Sequence, residues 1–307
     1  MKNFKLLILL TLIFSGTQSF SQKFNLELNL EKGKTYKQIS YQEVVTEQDY
    51  MGQNIIVTIT ITGEMEYFVK DIINDNYIMD VKFGRLGSVI ESPQGKMEFN
   101  SDMPAEDDIF SMLLSKFVDK TFSMEMTKKG KVPKITGINE IIDDQVNQFS
   151  GQLPEENLEM LRKHLDESYG EIALKESFER MNDIYPDNLI GINDEWVIQT
   201  ELGSVMPGVL TTTYQLLETN PNYYIIQGNG IIKTDNSPSK LKAGEMNLVY
   251  DFTGTMNSQI QLDSKSGWIH ELKTTQDMSG FIIYLMENGE KMKVPATIKG
   301  NHKMADY

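Results

Sequence analysis

The chain has no cysteine in its 307 residues. Disulfides and thiolate metal ligands are therefore unavailable, and stability has to come from a hydrophobic core. A lipid anchor at a leader junction is excluded by the same absence, because that modification needs a cysteine. Histidine is nearly as scarce, with His164, His270 and His302 the whole supply. No H-E-x-x-H or His-x-His pair occurs, so a zinc site would need an unusual ligand set, and neither a metal nor a cofactor is expected. Basic residues number 29 against 44 acidic ones, a formal charge of −15. That balance argues against nucleic acid as a partner and disfavours anionic membrane surfaces. Long apolar runs are missing beyond the first few residues, so no membrane-spanning helix is expected in the body of the chain.

The one apolar run lies at the start. Lys2 and Lys5 precede Leu6-Leu7-Ile8-Leu9-Leu10, which continues through Leu12, Ile13 and Phe14 into Ser15, Gly16 and Thr17. This is the pattern of a secretory signal peptide over residues 1–21, with Ser19-Phe20-Ser21 as the small-x-small junction. The expected destination is the periplasm or the extracellular space, without a lipid anchor.

After the leader, strand periodicity dominates. Phe24, Leu26, Leu28 and Leu30 alternate with polar residues, and Glu31-Lys32-Gly33-Lys34 makes a turn. Tyr36, Ile39 and Tyr41 lead the next strand towards Val45. The β-branched stretch Ile55-Ile56-Val57-Thr58-Ile59-Thr60-Ile61-Thr62 is the strongest strand signal, and Asn74-Asp75-Asn76 turns it into Tyr77-Ile78-Met79-Asp80-Val81. Over residues 103–118 the period changes to that of a helix, with Ile109, Met112, Leu113 and Phe117 on one face and Ser101 or Asp102 as cap. A hairpin follows over residues 121–136. Residues 138–181 carry helical spacing, with Pro154 suited to a helix start and Gly170 to a break. Strands resume at Trp196-Val197-Ile198 and are expected over residues 210–217, 223–226, 245–252, 256–262 and 268–274, with a last one near 278–286. Residues 301–307 read as a polar tail.

These signals predict an α+β protein, mainly antiparallel β: a curved sheet, or two half-barrel β-sheets, with a central helical insert. The expected divisions are residues 22–137, an N-terminal β half with one helix; 138–186, the helical insert; and 187–307, the C-terminal β half. The two halves echo one another. Each has a long β-branched strand, an Asn-rich turn, a Tyr-led partner strand and a hairpin turn in which Lys precedes Gly, at Lys128 to Gly130 and at Lys265 to Gly267.

Several of these turn and strand-start motifs carry a resemblance. Asp119-Lys120-Thr121-Phe122, Gly130-Lys131-Val132, Ile135-Thr136-Gly137, Ile184-Tyr185-Pro186 and Gly191-Ile192-Asn193-Asp194-Glu195-Trp196 together resemble a widespread family of exported bacterial proteins of unknown function. In order of elements alone, the chain is similar to periplasmic lipoprotein carriers, half-closed β-barrels that hold acyl chains under a helical lid. No carrier residue transfers position by position, so that likeness is one of fold.

Catalytic patterns are weak throughout. Glu106-Asp107-Asp108 and Glu155, Glu156 and Glu159 sit where helix starts favour negative charge, and Asp143-Asp144 reads as a solvated helix face. There is no G-x-S-x-G; Ser237-Pro238-Ser239-Lys240 lies in a turn-rich stretch, and Gly228-Asn229-Gly230 joins strand to strand, unlike a phosphate loop. His164 stands beside Arg162 and Lys163 on a charged helix face, and His270 is expected to pack on the face of Trp268 and Leu272. The 18 methionines are the compositional oddity. Flexible thioethers line adaptable apolar surfaces, which makes Met65, Met79, Met112, Met124, Met126 and Met160 candidates for lining an apolar ligand site, with ordinary core packing as the alternative. The sequence therefore predicts a non-enzymatic exported binding protein of the cell envelope that holds a lipid-like or other apolar ligand. The alternative is a module that binds another envelope protein, and a hydrolase of envelope polymers ranks third.

Overall fold

The computed structural model describes residues 22–104, 108–243, 246–286 and 288–307. The expected leader and the pair Glu106-Asp107 lie outside these residues. The first strands in chain order are β1 (Lys23–Phe24), β2 (Thr35–Tyr50), β3 (Gln53–Ile73), β4 (Asn76–Ser92) and β5 (Gly95–Asn100). Helix α1 (Ile109–Phe117) precedes β6 (Thr121–Met126) and β7 (Lys134–Thr136), and α2 (Ile138–Asn147), α3 (Glu155–Tyr169) and α4 (Glu171–Asn182) make up the central helical region. Then come β8 (Ile190–Gly191), β9 (Glu195–Glu201), β10 (Gly208–Thr219), β11 (Tyr223–Thr234), β12 (Pro238–Ala243), β13 (Met246–Asp263), β14 (Ile269–Leu285) and β15 (Lys291–Asp306).

One antiparallel sheet holds thirteen of these strands, in the order β7-β6-β4-β3-β2-β15-β14-β13-β11-β10-β9, with β5 added to β4 and β12 to β13. It is mostly antiparallel β, curved and open: β7 and β9 end the path and do not pair with each other. The four helices pack on the concave side. Leu113 and Phe117 of α1, Ile142 and Val146 of α2, Leu165 of α3 and Phe178 of α4 join Tyr67, Val81 and Phe122 of the sheet in one buried cluster.

Local chemistry explains most element ends. Asp108, rather than Ser101 or Asp102, caps α1, accepting from the Phe110 and Ser111 amides at 3.1 Å each. Gly137 opens α2 at φ 93°, where a residue with a Cβ would be strained. The stretches expected as separate strands over 256–262 and its neighbour are one strand, β13, and 268–274 and 278–286 are likewise one strand, β14. Gly254 does not break the first. It lies where the chains crowd, since a Cβ there would come within 2.4 Å of the Asp277 carbonyl oxygen.

Two segments depart further from the sequence pattern. Residues 25–30 alternate like a strand, yet only Lys23–Phe24 enters a ladder, pairing with Ile190 and Gly191. Leu26, Leu28 and Leu30 are buried all the same, because the segment crosses one end of the sheet between two hairpin turns. The Leu28 amide donates to the Lys128 carbonyl at 2.8 Å and the Asn29 amide to the Ser266 carbonyl at 2.7 Å. These are the two Lys-then-Gly turns that echo each other in sequence. Tyr77 fixes the same segment from β4, donating its hydroxyl to the Leu28 carbonyl at 2.8 Å and accepting from the Leu30 amide at 3.1 Å.

The second departure is larger. The expected polar tail is the end of β15, a sixteen-residue strand at the middle of the sheet, paired on one side with β14 and on the other with β2. Within the large sheet it joins the two halves, through its pairing with β2. Pro295 does not disturb it, because pairing with β2 begins one residue later, at Ala296 opposite Gln48, and the missing amide proton removes no bond there.

Two outcomes follow from these contacts. Tyr77→Phe leaves a buried carbonyl and a buried amide without their partner and should lower unfolding free energy by about 2 kcal/mol in denaturant titration; a loss under about 0.5 kcal/mol would show the N-terminal segment to be held otherwise. Removing residues 291–307 takes out the joining strand, so circular dichroism should show no cooperative melting, whereas a truncated chain that melts like the full one would contradict this topology.

Candidate ligand-binding site

Between the concave face and the helices lies a cavity of about 1000 Å³ that opens to solvent on one side. Such a volume is at the upper end of ordinary ligand pockets, roughly 300 to 1000 Å³. Its floor is aromatic. Tyr67 and Phe178 of the lining meet edge-on at 6.1 Å, and beneath them, in the core, Trp268 packs on Tyr67 at 5.1 Å and on Tyr36 at 5.2 Å. The helical wall comes from one face of α4, where Leu174, Phe178 and Met181 recur at helical spacing, and from His164, Ser168 and Tyr169 of α3. The mouth bears Ile61 and Met97, which are 46% and 51% exposed although both belong to the lining.

Register shows which strand residues share the inner face, since residues directly opposite in an antiparallel pair point the same way. One inner row runs Gly63, Ser40, Met304, Leu272, Ile260, Ile226 across six strands. The next runs Ile61, Gln42, His302, Thr274, Ser258, Gly228, and continues into Tyr214 and Trp196. The concave face is therefore apolar except for an uncharged polar stretch centred on β2, β15, β14 and β13. The outer face is its opposite: Thr60, Glu43, Asn301, Thr275, Asn257 and Asn229 stand in one row.

Strand β2 reverses the usual sense of a half-buried strand. Ile39 points outward and is 44% exposed, whereas Gln38 points inward and is 4% exposed. The apolar positions Ile39 and Tyr41, from which the strand is recognisable in sequence, are thus on the wet side, and Gln38, Ser40 and Gln42 face the cavity. Gln38 Oε1 and Ser258 Oγ are buried without a hydrogen-bond partner. Beside Ser258 the wall is stripped to Gly228, where a Cβ would lie 2.3 Å from Ser258 Oγ and 2.7 Å from the Tyr214 ring. Burial pushes the Tyr214 hydroxyl up to about 12.

His302 lines this cavity from the joining strand. Burial lowers its pKa, because the surrounding protein disfavours the cation. His164 also reaches the lining, packing on the Phe110 ring at 5.8 Å while remaining exposed at the mouth. His270 does not share the buried face of Trp268 and Leu272. A bulge drops it from the ladder, and it stacks on Tyr223 at 4.5 Å and pairs with Asp306 at 2.5 Å.

Of the methionines singled out by sequence, Met65 stands on the cavity wall beside Gln38. Met79, Met124 and Met126 are fully buried in the core, Met112 packs against the core, and Met160 on α3 is exposed. The fold also brings Met97, Met181, Met206, Met256 and Met304 to the cavity. Sequence spacing does not separate the two sets, because both alternate on strands or recur on helices in the same way.

Fold and site together define a class: an open antiparallel β half-barrel wrapped round a helical insert, with an apolar, solvent-reachable cavity between the two. The chain belongs to the family of unknown function DUF6263, whose model matches residues 74–269, more than half of its length. No curated protein matches it. Among solved structures it is similar over 91% of its length to a lipovitellin chain described for its lipid–protein interactions, at 10% identity and a TM-score of 0.48, and it spans 25% of that chain. An outer membrane channel from Pseudomonas putida F1 aligns over 91% of this chain and 97% of its own, at 9% identity and a TM-score of 0.26.

The lowered pKa of His302 gives a pH test. The unfolded chain takes up this proton near its ordinary value of about 6.5, above the pH at which the folded protein does, so the folded state loses stability as pH falls through that range. Between pH 7.5 and 5.5 the melting temperature of His302→Gln should therefore fall less than that of the parent. Equal slopes would place His302 in a more solvated setting than the cavity wall.

Proposed function

We propose that this is an exported, non-enzymatic binding protein of the cell envelope or extracellular space that holds a lipid-like ligand in the cavity between sheet and helices. The observation that carries the reading is the polarity of the sheet: apolar within, wet without. A transmembrane barrel has the reverse arrangement, with an apolar outer band and a polar lumen. Among the described residues no helix is long and apolar enough to cross a membrane. A cavity of about 1000 Å³ lined mainly by aliphatic, aromatic and thioether side chains, and open at one side, suits an apolar molecule that enters and leaves. The thioethers of Met65, Met97, Met206 and Met256 let the wall adapt to chains of differing shape. The N-terminal leader pattern and the cysteine-free composition support export without a lipid anchor.

A second reading, an assembly module binding an envelope protein, has one observation in its favour. Strand β9 pairs with β10 alone among the described strands and presents Val197, 61% exposed, on the edge of the sheet.

The two readings separate in one measurement. The neutral apolar probe N-phenyl-1-naphthylamine should brighten on binding the parent. Ile61→Asp, which places a charge on an already exposed part of the lining, should weaken it about tenfold while leaving the melting temperature nearly unchanged. Mass spectrometry of protein purified from its native host should show a co-purifying lipid. No probe binding, no lipid, and capture of a single protein partner that is lost on Val197→Asp would replace the ligand reading with the assembly one.

A further inference from the structure

The cavity is not uniformly apolar, and the place where it departs is specific. On β2 the inward residues Gln38, Ser40 and Gln42 are polar while the outward Ile39 is exposed, an inversion that costs burial energy on both faces. Across the ladder, Gln42 stands opposite His302, His302 opposite Thr274, and Thr274 opposite Ser258. Two atoms of this stretch, Gln38 Oε1 and Ser258 Oγ, are buried with no partner, and both residues line the cavity. Such atoms are desolvated without a partner in the free protein, so a ligand group that reaches one and completes its hydrogen bond recovers part of that cost.

The stretch holds no fixed charge. Among the described residues, Arg180 is the only lysine, arginine, aspartate or glutamate side chain on the lining; it lies on α4 beside Gly203 and faces Glu176 at 3.6 Å. His302 is held towards its neutral form by burial. A carboxylate or phosphate placed here would be desolvated with no cation to offset the loss. An uncharged hydroxyl fits beside Ser258: it donates to Ser258 Oγ and accepts from the Thr274 hydroxyl directly opposite. The row alongside, with Met304, Leu272 and Ile260, leaves an apolar track for a chain attached to that head.

We propose that Ser258, Thr274 and His302, direct neighbours in one row of the ladder, form a seat for an uncharged, hydroxyl-bearing head group. The cavity would then select neutral amphipathic lipids, such as long-chain alcohols and acylglycerols, over fatty-acid anions and phospholipids. This rests on the ligand-binding reading above and names the ligand class for the same site.

Competition on the full mature chain tests it. Delipidated protein is loaded with N-phenyl-1-naphthylamine at pH 8, and 1-monohexadecanoylglycerol, hexadecan-1-ol and hexadecanoate are compared as displacers. The two neutral lipids should displace the probe at concentrations about tenfold below hexadecanoate. Ser258→Ala and Thr274→Val should each weaken the acylglycerol roughly fivefold to tenfold while probe affinity stays within about twofold, which also reports an intact fold. Hexadecanoate binding as tightly as the neutral lipids, or acylglycerol affinity unchanged in both variants, overturns the head-group assignment and leaves the cavity as a general apolar site. A probe that does not bind the parent at all overturns the assignment together with the reading on which it rests.

Discussion

Asp183 holds the two free edges of the sheet at a fixed separation. It accepts from Lys131, beside β7, at 2.6 Å and from the Thr200 hydroxyl on β9 at 2.7 Å, and its side chain is only 12% exposed. Neighbouring residues continue the join: Trp196 Nε1 donates to the Ile184 carbonyl at 2.9 Å, Lys129 Nζ to the Pro186 carbonyl at 2.7 Å, and the Tyr185 hydroxyl to the Gly267 carbonyl at 3.0 Å. The sheet stays open, and the gap between its edges is bridged by a peptide segment rather than by strand pairing. Side-chain bonds across a gap can hold edges further apart than the spacing of a ladder, about 4.8 Å, and that extra width admits the helices.

The helices, once admitted, shape the cavity. They bury the half of the concave face nearest the crossing N-terminal segment, where Leu26, Leu28 and Leu30 meet the aromatic floor of Tyr36, Tyr67 and Trp268. Towards the other end, Ile232, Phe252, Met278 and Ile282 form a smaller core of their own on the C-terminal half. The opening lies towards the N-terminal half, where Ile61 and Met97 remain accessible. One sheet therefore supplies a packed floor, a packed flank and an open mouth.

The sequence echo acquires a physical meaning in this arrangement. The two Lys-then-Gly turns lie at the same end of the sheet, one from each half, and both hold the strip of chain passing between them, the Lys128 and Ser266 carbonyls accepting from its Leu28 and Asn29 amides. Gly267 shows how close the approach is: a Cβ there would come within 2.0 Å of the Glu27 carbonyl oxygen, and its φ of +67° already favours glycine. The halves are bound together twice, by this strip at one end and by β15 along the middle.

Period-two alternation, Asn and Gly turns and the shift to helical spacing over residues 138–181 make the antiparallel strands, most hairpins and the helical insert legible from sequence, because those signals are set by neighbours along the chain. Apolar alternation, however, says only that one face differs from the other. Ile39 and Tyr41 marked β2 as a strand without saying which way they point, and the register with β15 and β3 turns them outward, bringing Gln38, Ser40 and Gln42 to the cavity. The polar end of β15 has Met304 as its main apolar residue, yet non-local pairing made it part of the central strand and placed His302 on the wall. Sequence determined which segments extend and which coil; the order of strands, the width of the seam and the chemistry facing inward were decided by pairings between residues hundreds of positions apart, which no local pattern encodes.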